Sequence, residues 1–134
     1  MSWIDRIEGE FSSAHKLYNY KGKCANVHGH NWKVIVKVKS KVLDESGMIC
    51  DFKDLKLTLN EVLEELDHKY INKDVKYFEI SNPTSENLAK YICDRFIEKI
   101  QLNVKNLEFI NQNMLIYSVR VFENEKCYSE YFND

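Results

Sequence analysis

The stretch HGHNWKVIVKVK, residues 28–39, decides the fold of this chain because its side chains alternate in character. The apolar positions are Trp32, Val34, Val36 and Val38, and the positions between them are Lys33, Ile35, Lys37 and Lys39. Alternation with a period of two is typical of a β-strand with one buried face. If the strand extends back to residue 28, His28 and His30 lie on the face of Trp32, with Cα atoms about 7 Å apart. That spacing suits convergence on one metal ion, and Gly29 removes bulk between the imidazoles.

Three other segments are predicted to be strands. Residues 7–17 form a weaker candidate before the histidine strand, and residues 115–123 and 126–132 lie near the C-terminus. Asn124 and Glu125, between the last two segments, favour a tight hairpin turn.

The first predicted helix follows Asp51, which can serve as its N-cap. Its apolar residues recur at the spacing of one buried stripe. They are Phe52, Leu55, Leu59, Val62, Leu63 and Leu66.

The second predicted helix begins in NPTSEN, residues 82–87, where Asn82 or Thr84 can cap it and Pro83 is tolerated in the first turn. Its buried stripe consists of Leu88, Ala89, Ile92, Cys93, Phe96, Ile97 and Ile100. Two helices between strand pairs predict an α+β fold, a four-stranded antiparallel sheet with two helices on one face. The Asn-rich residues 103–113 are interpreted as a connection or an insertion.

Length and composition limit the classes of protein and partner. The 134 residues are treated as one domain, 1–134, and a formal net charge of −2 argues against nucleic acid as the main partner. No apolar run reaches the 18 or so residues of a membrane span, and the N-terminus lacks the regions of a signal peptide. We therefore expect a cytoplasmic protein with no membrane partner. Its four cysteines include no CxxC pair, so a disulfide framework is not expected.

A third imidazole can complete the proposed metal site. His15 lies in FSSAHKL, residues 11–17, and an antiparallel pairing of this segment with the histidine strand would bring it to His28 and His30. Three neutral nitrogen ligands suit zinc and leave a fourth position open, which is the catalytic arrangement. Cys24 could close that position as a structural ligand, or remain free as a base or nucleophile. The spacing alone leaves these two readings open.

Two acidic positions also stand out. Asp67 opposes the dipole at a helix C-terminus, but next to His68 it can orient an imidazole for proton transfer. A solvated helix end is the alternative. Glu123 shares a strand face with Val119 and Val121, so it is either at the exposed end of that strand or a buried carboxylate in need of donors.

Six motifs together resemble the 6-pyruvoyl-tetrahydropterin synthase superfamily. They are FSSAHKL, CANVHGH, GMICDFKDLK, LDHKYIN, NPTSENLAKYI and VRVFENEKCY, and they extend from residue 11 to about residue 128. The three residues between the cysteine and HGH, and the Asp-Phe pair of CDFKDLK, are similar to the queuosine-pathway branch, the 6-carboxy-tetrahydropterin synthases. Lys16 stands where arginine is common, and residues 103–114 are longer than the usual link.

The resemblance implies a tunnelling fold and a role for each matching residue. His15, His28 and His30 would bind zinc, one ion per subunit; Cys24 would be the catalytic thiol, with Asp67 and His68 as its proton-transfer partners; Glu123 would anchor the pterin, and Thr84, Ser85 and Glu86 would line its pocket. The implied substrate is 7,8-dihydroneopterin triphosphate, cleaved to 6-carboxy-tetrahydropterin. The implied assembly is a homohexamer of two trimers with sites between subunits.

Overall fold

The computed structural model describes all 134 residues as five strands and four α-helices. The strands are β1 (Trp3–His15), β2 (His28–Ser40), β3 (Lys69–Tyr70), β4 (Leu115–Asn124) and β5 (Cys127–Phe132). The helices are α1 (Phe52–Glu64), α2 (Ile71–Asp74), α3 (Ser85–Asn103) and α4 (Leu107–Asn113).

The five strands form one sheet in the order β3-β1-β2-β4-β5. The pairs β1–β2, β2–β4 and β4–β5 are antiparallel, and β3 pairs in parallel with β1. The predicted antiparallel four-stranded sheet is therefore present, and β3 is an addition to it. β3 has only two residues, which is too short to give a periodic signal in the sequence.

Helices α1 and α3 pack on each other and on the sheet, so the α+β prediction is confirmed. The core between the helices and the sheet includes Trp32 and Val36 from β2, Leu59 from α1 and Phe96 from α3, all at most 1% exposed. Cys93 is fully buried in this core, as predicted.

The helix caps follow the sequence closely. Asp51 caps α1 by accepting the Lys53 N–H at 2.9 Å, and Thr84 caps α3 by accepting the Asn87 N–H at 3.1 Å. Of the two caps considered for the second helix, Thr84 is the one used. Asn82 makes tertiary contacts instead.

The structure differs from the predictions in several details. Phe52 and Ile97 are predicted to lie on buried stripes but are 48% and 37% exposed. Phe52 is the first residue of α1, and Ile97 lies at the margin of the buried face of α3. Leu66 is buried, although α1 ends two residues before it at Glu64. The last hairpin turns one residue later than expected, at residues 125–126, and the Asn-rich connection contains α4.

None of the helices is long and apolar enough to span a membrane.

Candidate active site

The pairing of β1 with β2 brings three histidines together. His15 lies directly opposite His28 in the register, and Ser13 lies opposite His30. The ring centroids of the three imidazoles are 4.6 to 5.2 Å apart, and those of His15 and His30 each lie 5.0 Å from the indole of Trp32. The predicted three-imidazole cluster therefore sits at the end of the core. Gly29 is not needed to make room, since a Cβ there would meet only the Ser13 carbonyl oxygen, at 3.8 Å.

The two nitrogens of these rings have different partners. Nδ1 of His15 donates to the Pro83 carbonyl at 2.7 Å, and Nδ1 of His28 donates to the Asn26 carbonyl at 2.8 Å. A carbonyl can only accept, so in the neutral rings Nε2 carries the free lone pair. The Nε2 atoms of all three histidines are buried and have no hydrogen-bond partner. Buried polar atoms without partners are rare in folded proteins, and three that face one another indicate a cation site.

Burial keeps two of these imidazoles neutral. It lowers the pKa of His15, and this effect outweighs the opposing hydrogen bond to Pro83. Burial also lowers the pKa of His30, against the attraction of Glu123. Neutral imidazole is the form that binds zinc, so the environment favours the ligand state at neutral pH.

Glu123 completes the group. One donor atom from each of His15, His28, His30 and Glu123 lies within 4.8 Å of the others. Oε1 of Glu123 is 3.0 Å from Nε2 of His30, but the pair does not have hydrogen-bond geometry. The carboxylate expected to anchor the pterin therefore faces the imidazoles, and three nitrogens with one oxygen form a donor set that zinc accepts.

Cys24 lies outside this group. It is half-buried in a short 3₁₀ turn, Lys23–Ala25, and its carbonyl accepts the Leu17 N–H at 2.8 Å. The fourth donor that lies within 4.8 Å of the three imidazole nitrogens belongs to Glu123, and Cys24 is not part of the group. This geometry gives no support to Cys24 as the fourth ligand.

Asp67 and His68 form the predicted pair. Oδ2 of Asp67 is 2.9 Å from Nδ1 of His68, and Oδ1 accepts the Ser12 N–H at 2.9 Å. The pair follows the end of α1, and the backbone of His68 is left-handed, with φ of 56°. The Ser12 hydrogen bond, with a further contribution from His68, lowers the pKa of Asp67. Asp67 therefore remains a carboxylate that can orient and stabilise an imidazolium.

An open cleft connects this pair with one edge of the histidine cluster. The cleft has a volume of about 1180 Å³ and includes His30 and Glu123 on one side and Asp67 and His68 on the other. Cys24 is not among its lining residues.

The segment Thr84–Glu86, expected to line the pterin pocket, is at the start of α3 and outside this cleft. The Ser85 hydroxyl hydrogen-bonds the Ser129 hydroxyl at 2.8 Å and donates to Glu86 at 3.1 Å. Pro83, immediately before the segment, contacts His15 through its carbonyl. The segment Thr84–Glu86 therefore follows directly after a residue that contacts the histidine cluster.

Sequence reasoning missed several contributors to the site. The carbonyls of Asn26 and Pro83 orient two imidazoles, and carbonyls give no signal in residue identity. Lys33 and Phe122 line the cleft, with Nζ of Lys33 5.2 Å from the centre of the Phe122 ring. Their pairing in the β2–β4 register could have been found only once the strand order was known.

Comparison with known proteins agrees with this fold. Residues 6–134 match the family described as 6-pyruvoyl tetrahydropterin synthase. The solved structure of 6-pyruvoyl tetrahydropterin synthase from Caenorhabditis elegans superposes with a TM-score of 0.80 at 31% identity, covering 100% of this chain and 97% of that one.

Two relatives carry different names. A protein of Archaeoglobus fulgidus, provisionally named 6-carboxy-5,6,7,8-tetrahydropterin synthase, is 40% identical over 124 residues, which is 92% of this chain and 90% of that one. The Homo sapiens 6-pyruvoyl tetrahydrobiopterin synthase is 36% identical over 128 residues, which is 86% of this chain and 81% of that one.

Proposed function

The chain belongs to the 6-pyruvoyl tetrahydropterin synthase family, and from that premise we propose that it is a zinc-dependent carbon–carbon lyase, a 6-carboxy-tetrahydropterin synthase. Its substrate is 7,8-dihydroneopterin triphosphate. With one water, the reaction gives 6-carboxy-5,6,7,8-tetrahydropterin, acetaldehyde and triphosphate. We propose further that the enzyme acts in the cytoplasm, in queuosine or 7-deazapurine biosynthesis.

The convergence of three unpaired Nε2 atoms is the observation that carries the proposal. His15, His28 and His30 would hold the zinc ion, one per subunit, and substrate oxygens would supply the remaining donors. When bound, zinc supplies Lewis acidity to the side-chain hydroxyls of the substrate. The carbonyls of Pro83 and Asn26 keep two of the rings in the tautomer that presents Nε2.

Proton transfer is assigned to this chain's own side chains. Cys24, as thiolate, removes the proton from the side-chain carbon next to the pterin ring. His68 then carries protons, and Asp67 holds its Nδ1–H through the 2.9 Å contact. The Ser12 N–H on the other carboxylate oxygen fixes the direction of that contact.

Glu123 is proposed as the anchor that accepts the pterin amino group and ring N–H. Because Glu123 lies beside His30, it would accept these pterin N–H groups at the edge of the histidine cluster. Glu86 is the one carboxylate of the predicted pocket segment, Thr84–Glu86, and as an exposed acid it is the alternative anchor. Binding of a pterin without the triphosphate, measured for Glu123→Gln and Glu86→Gln, decides between them, because the anchor variant loses affinity while zinc content stays constant.

The assembly is proposed to be a homohexamer of two trimers, with the active site between subunits. Two observations support a site completed by another copy. Cys24 lies outside the cleft that contains Asp67 and His68, although all three are assigned to one reaction. Strand β5 is at the edge of the sheet and pairs only with β4, so its outer edge can accept a strand. The mass in solution, from light scattering, tests the hexamer.

A second candidate product is 6-pyruvoyl-tetrahydropterin, formed by triphosphate elimination without carbon–carbon cleavage. The 36% identity to the human 6-pyruvoyl tetrahydrobiopterin synthase favours it. The three-residue interval between Cys24 and His28, and the 40% identity to the Archaeoglobus protein, favour the 6-carboxy product.

Product analysis with 7,8-dihydroneopterin triphosphate tests the proposal directly. We expect acetaldehyde, triphosphate and 6-carboxy-tetrahydropterin by mass spectrometry, and no turnover after the metal is removed with a chelator until zinc is restored. The pyruvoyl product without acetaldehyde would support the second candidate.

The role of Cys24 needs a matched pair of variants. Cys24→Ala should bind zinc normally and lose turnover, whereas Cys127→Ser, at the exposed cysteine of the last hairpin, should keep both. Full turnover by Cys24→Ala with normal zinc content would mean that another group is the base.

A further inference from the structure

Residues 16–18 leave the sheet after β1, and the backbone N–H of each donates a hydrogen bond to another part of the chain. Oδ1 of Asn72 accepts the Lys16 N–H at 2.8 Å, and Nδ2 of Asn72 donates to the Lys16 carbonyl at 2.8 Å. Asn72 is only 6% exposed. Its amide therefore makes the two bonds that a neighbouring β-strand would make.

Asn82 repeats the arrangement two residues later. Its Oδ1 accepts the Tyr18 N–H at 2.8 Å, and its Nδ2 donates to the Tyr18 carbonyl at 3.4 Å. The Asn82 carbonyl in turn accepts Nδ2 of Asn87 at 2.8 Å, which fixes it to the first turn of α3. The Tyr18 hydroxyl adds a bond to the Phe78 carbonyl at 2.9 Å.

Leu17, between the residues held by Asn72 and Asn82, has a different hydrogen-bond partner. The N–H groups of Lys16 and Tyr18 donate to the two asparagines, whereas the Leu17 N–H donates to the Cys24 carbonyl at 2.8 Å. This bond connects the turn that carries the thiol to the clamped segment.

The dipeptide Asn82-Pro83 also reaches the metal-binding group. The Pro83 carbonyl accepts Nδ1 of His15 at 2.7 Å, and His15 is 2% exposed. Two adjacent residues thus contact both the imidazole cluster and the support of the Cys24 turn. A shift of this dipeptide would move the two parts of the site together.

We propose that Asn72 and Asn82 are positioning residues that hold Cys24 in register with the metal-binding histidines. They act through residues 16–18, and neither is assigned a contact with substrate. The inference rests on the proposed function, in which Cys24 is the base that must meet the substrate beside the zinc ion. Sequence reasoning considered Asn82 only as a helix cap.

Wild-type protein provides the first test. Hydrogen exchange should find the amides of Lys16, Leu17 and Tyr18 protected to a similar degree, since all three donate to defined acceptors. Exchange of these amides at the rate of an unprotected loop would overturn the proposal without any variant having to fold.

Alkylation of Cys24 provides the second test, in a Cys127→Ser background. Cys50 and Cys93 are buried, and burial raises the pKa of these thiols to about 12 and about 11, so Cys24 is the thiol that reacts. In Asn82→Ala and Asn72→Ala, iodoacetamide should modify Cys24 several-fold faster, because the turn is released. Asn82→Asp keeps the acceptor for Tyr18 and should restore most of the native rate.

Kinetics of the same variants separate positioning from general stability. A misplaced base lowers kcat about 10- to 100-fold with KM nearly constant. The matched control is Asn103→Ala, which removes amide bonds to Thr58 and Glu61 between α3 and α1. It should lower the unfolding midpoint yet leave kcat and Cys24 alkylation unchanged. The inference would be refuted if Asn103→Ala changed kcat and Cys24 alkylation as much as the other variants do. It would also be refuted if Cys24 alkylation were unchanged in both Asn72→Ala and Asn82→Ala.

Failure of the proposed function would look different. If Cys24→Ala keeps full turnover, the assignment of the base is wrong, while the alkylation and exchange measurements still report whether the asparagines hold the turn.

Discussion

The molecule uses histidine in two contrasting regions. The cluster of His15, His28 and His30 lies at the end of the core, with every Nε2 buried and unpaired. His68 lies beyond the end of α1 with 83% of its side chain exposed, and its Nδ1 faces a carboxylate. The imidazole ring therefore has a buried, unpaired Nε2 in one region and lies in solvent beside an acid in the other. Environment, rather than residue type, separates a metal ligand from a proton carrier.

The partners of Nδ1 reinforce this difference. In the cluster, Nδ1 of His15 and His28 donates to backbone carbonyls, which are neutral and fix the tautomer. At His68 the partner is Asp67, a carboxylate whose Oδ2 lies 2.9 Å from Nδ1 and orients the ring. A carbonyl suits a ligand that must stay neutral, and a carboxylate suits a ring that must gain and lose a proton.

The backbone differs as well. The cluster is on paired strands, whereas His68 adopts a left-handed conformation that costs a non-glycine residue about 1–2 kcal/mol. The His68 N–H donates to the Ser12 carbonyl at 2.7 Å, and Ser12 N–H donates to Asp67. This pair of bonds to β1 holds the turn in place. Strain held by neighbouring structure is common where a side chain has a functional position.

Zinc binding should give the largest contrast between the two regions. We expect His30→Ala to lose zinc and all turnover, because one of three imidazole ligands is gone. His68→Ala should keep about one zinc ion per chain and lose only turnover. Metal analysis of the purified proteins, together with the product assay, makes the comparison.

Loss of zinc from both variants would break the distinction, since His68 would then belong to the metal site. Retention of zinc by His30→Ala would mean that Glu123 and the other two histidines suffice.

Asp67→Asn should give the next largest effect. The amide can still accept the Ser12 N–H, but it presents a donor to His68 or a weaker acceptor, so the imidazolium is no longer stabilised. General acid–base groups contribute about 10²- to 10⁴-fold, and kcat should fall by an amount in that range. Zinc content should not change.

Asp94→Asn is a suitable control, because Asp94 is an exposed acid paired with Lys90 on α3 at 2.7 Å. It should leave kcat within error of the parent. A fall in kcat in the control equal to that of Asp67→Asn would remove the argument for a specific pair.

The sequence alone predicted the cluster because its signal is periodic. His28 and His30 follow the alternation of β2, and one antiparallel pairing placed His15 directly opposite His28. The same reasoning found the contact of Asp67 with His68 because the two are adjacent.

Other features depend on tertiary geometry that residue types do not encode. The approach of Glu123 to His30 depends on the order β2-β4 in the sheet. The carbonyl of Pro83 and the two-residue β3 are backbone features, and the clamp by Asn82 joins residues 64 positions apart. Asn82 was assigned a local capping role since capping is the commonest use of asparagine before a helix.

Gly9 on β1 and Gly29 on β2 test whether the contact with α1 or the histidine cluster limits the packing of these two strands. A Cβ on Gly9 would lie 2.8 Å from Cδ1 of Leu63 and 3.3 Å from Cδ2 of Leu59, so these buried side chains must shift. We expect Gly9→Ala to lower the free energy of unfolding by about 1–3 kcal/mol. Gly29→Ala has 3.8 Å of clearance and should change it by less than about 0.5 kcal/mol.

Denaturant unfolding of the zinc-free proteins measures both glycine variants. A greater loss for Gly29→Ala than for Gly9→Ala would show that the histidine strand, and not the contact with α1, limits the packing.

Acid unfolding should give the smallest effect and sharpen the contrast further. Because the pKa of Asp67 is lowered in the folded state by Ser12 and His68, its carboxylate adds stability that is fully present above the unfolded value of 3.8. This stability is lost as the pH falls through the folded pKa. The side chain is 40% exposed, so solvent screening limits the contribution to less than about 1 kcal/mol. The free energy of unfolding of Asp67→Asn should therefore change slightly less with pH below 3.8 than that of the parent. A large difference would mean that the pair supports the fold as well as the chemistry.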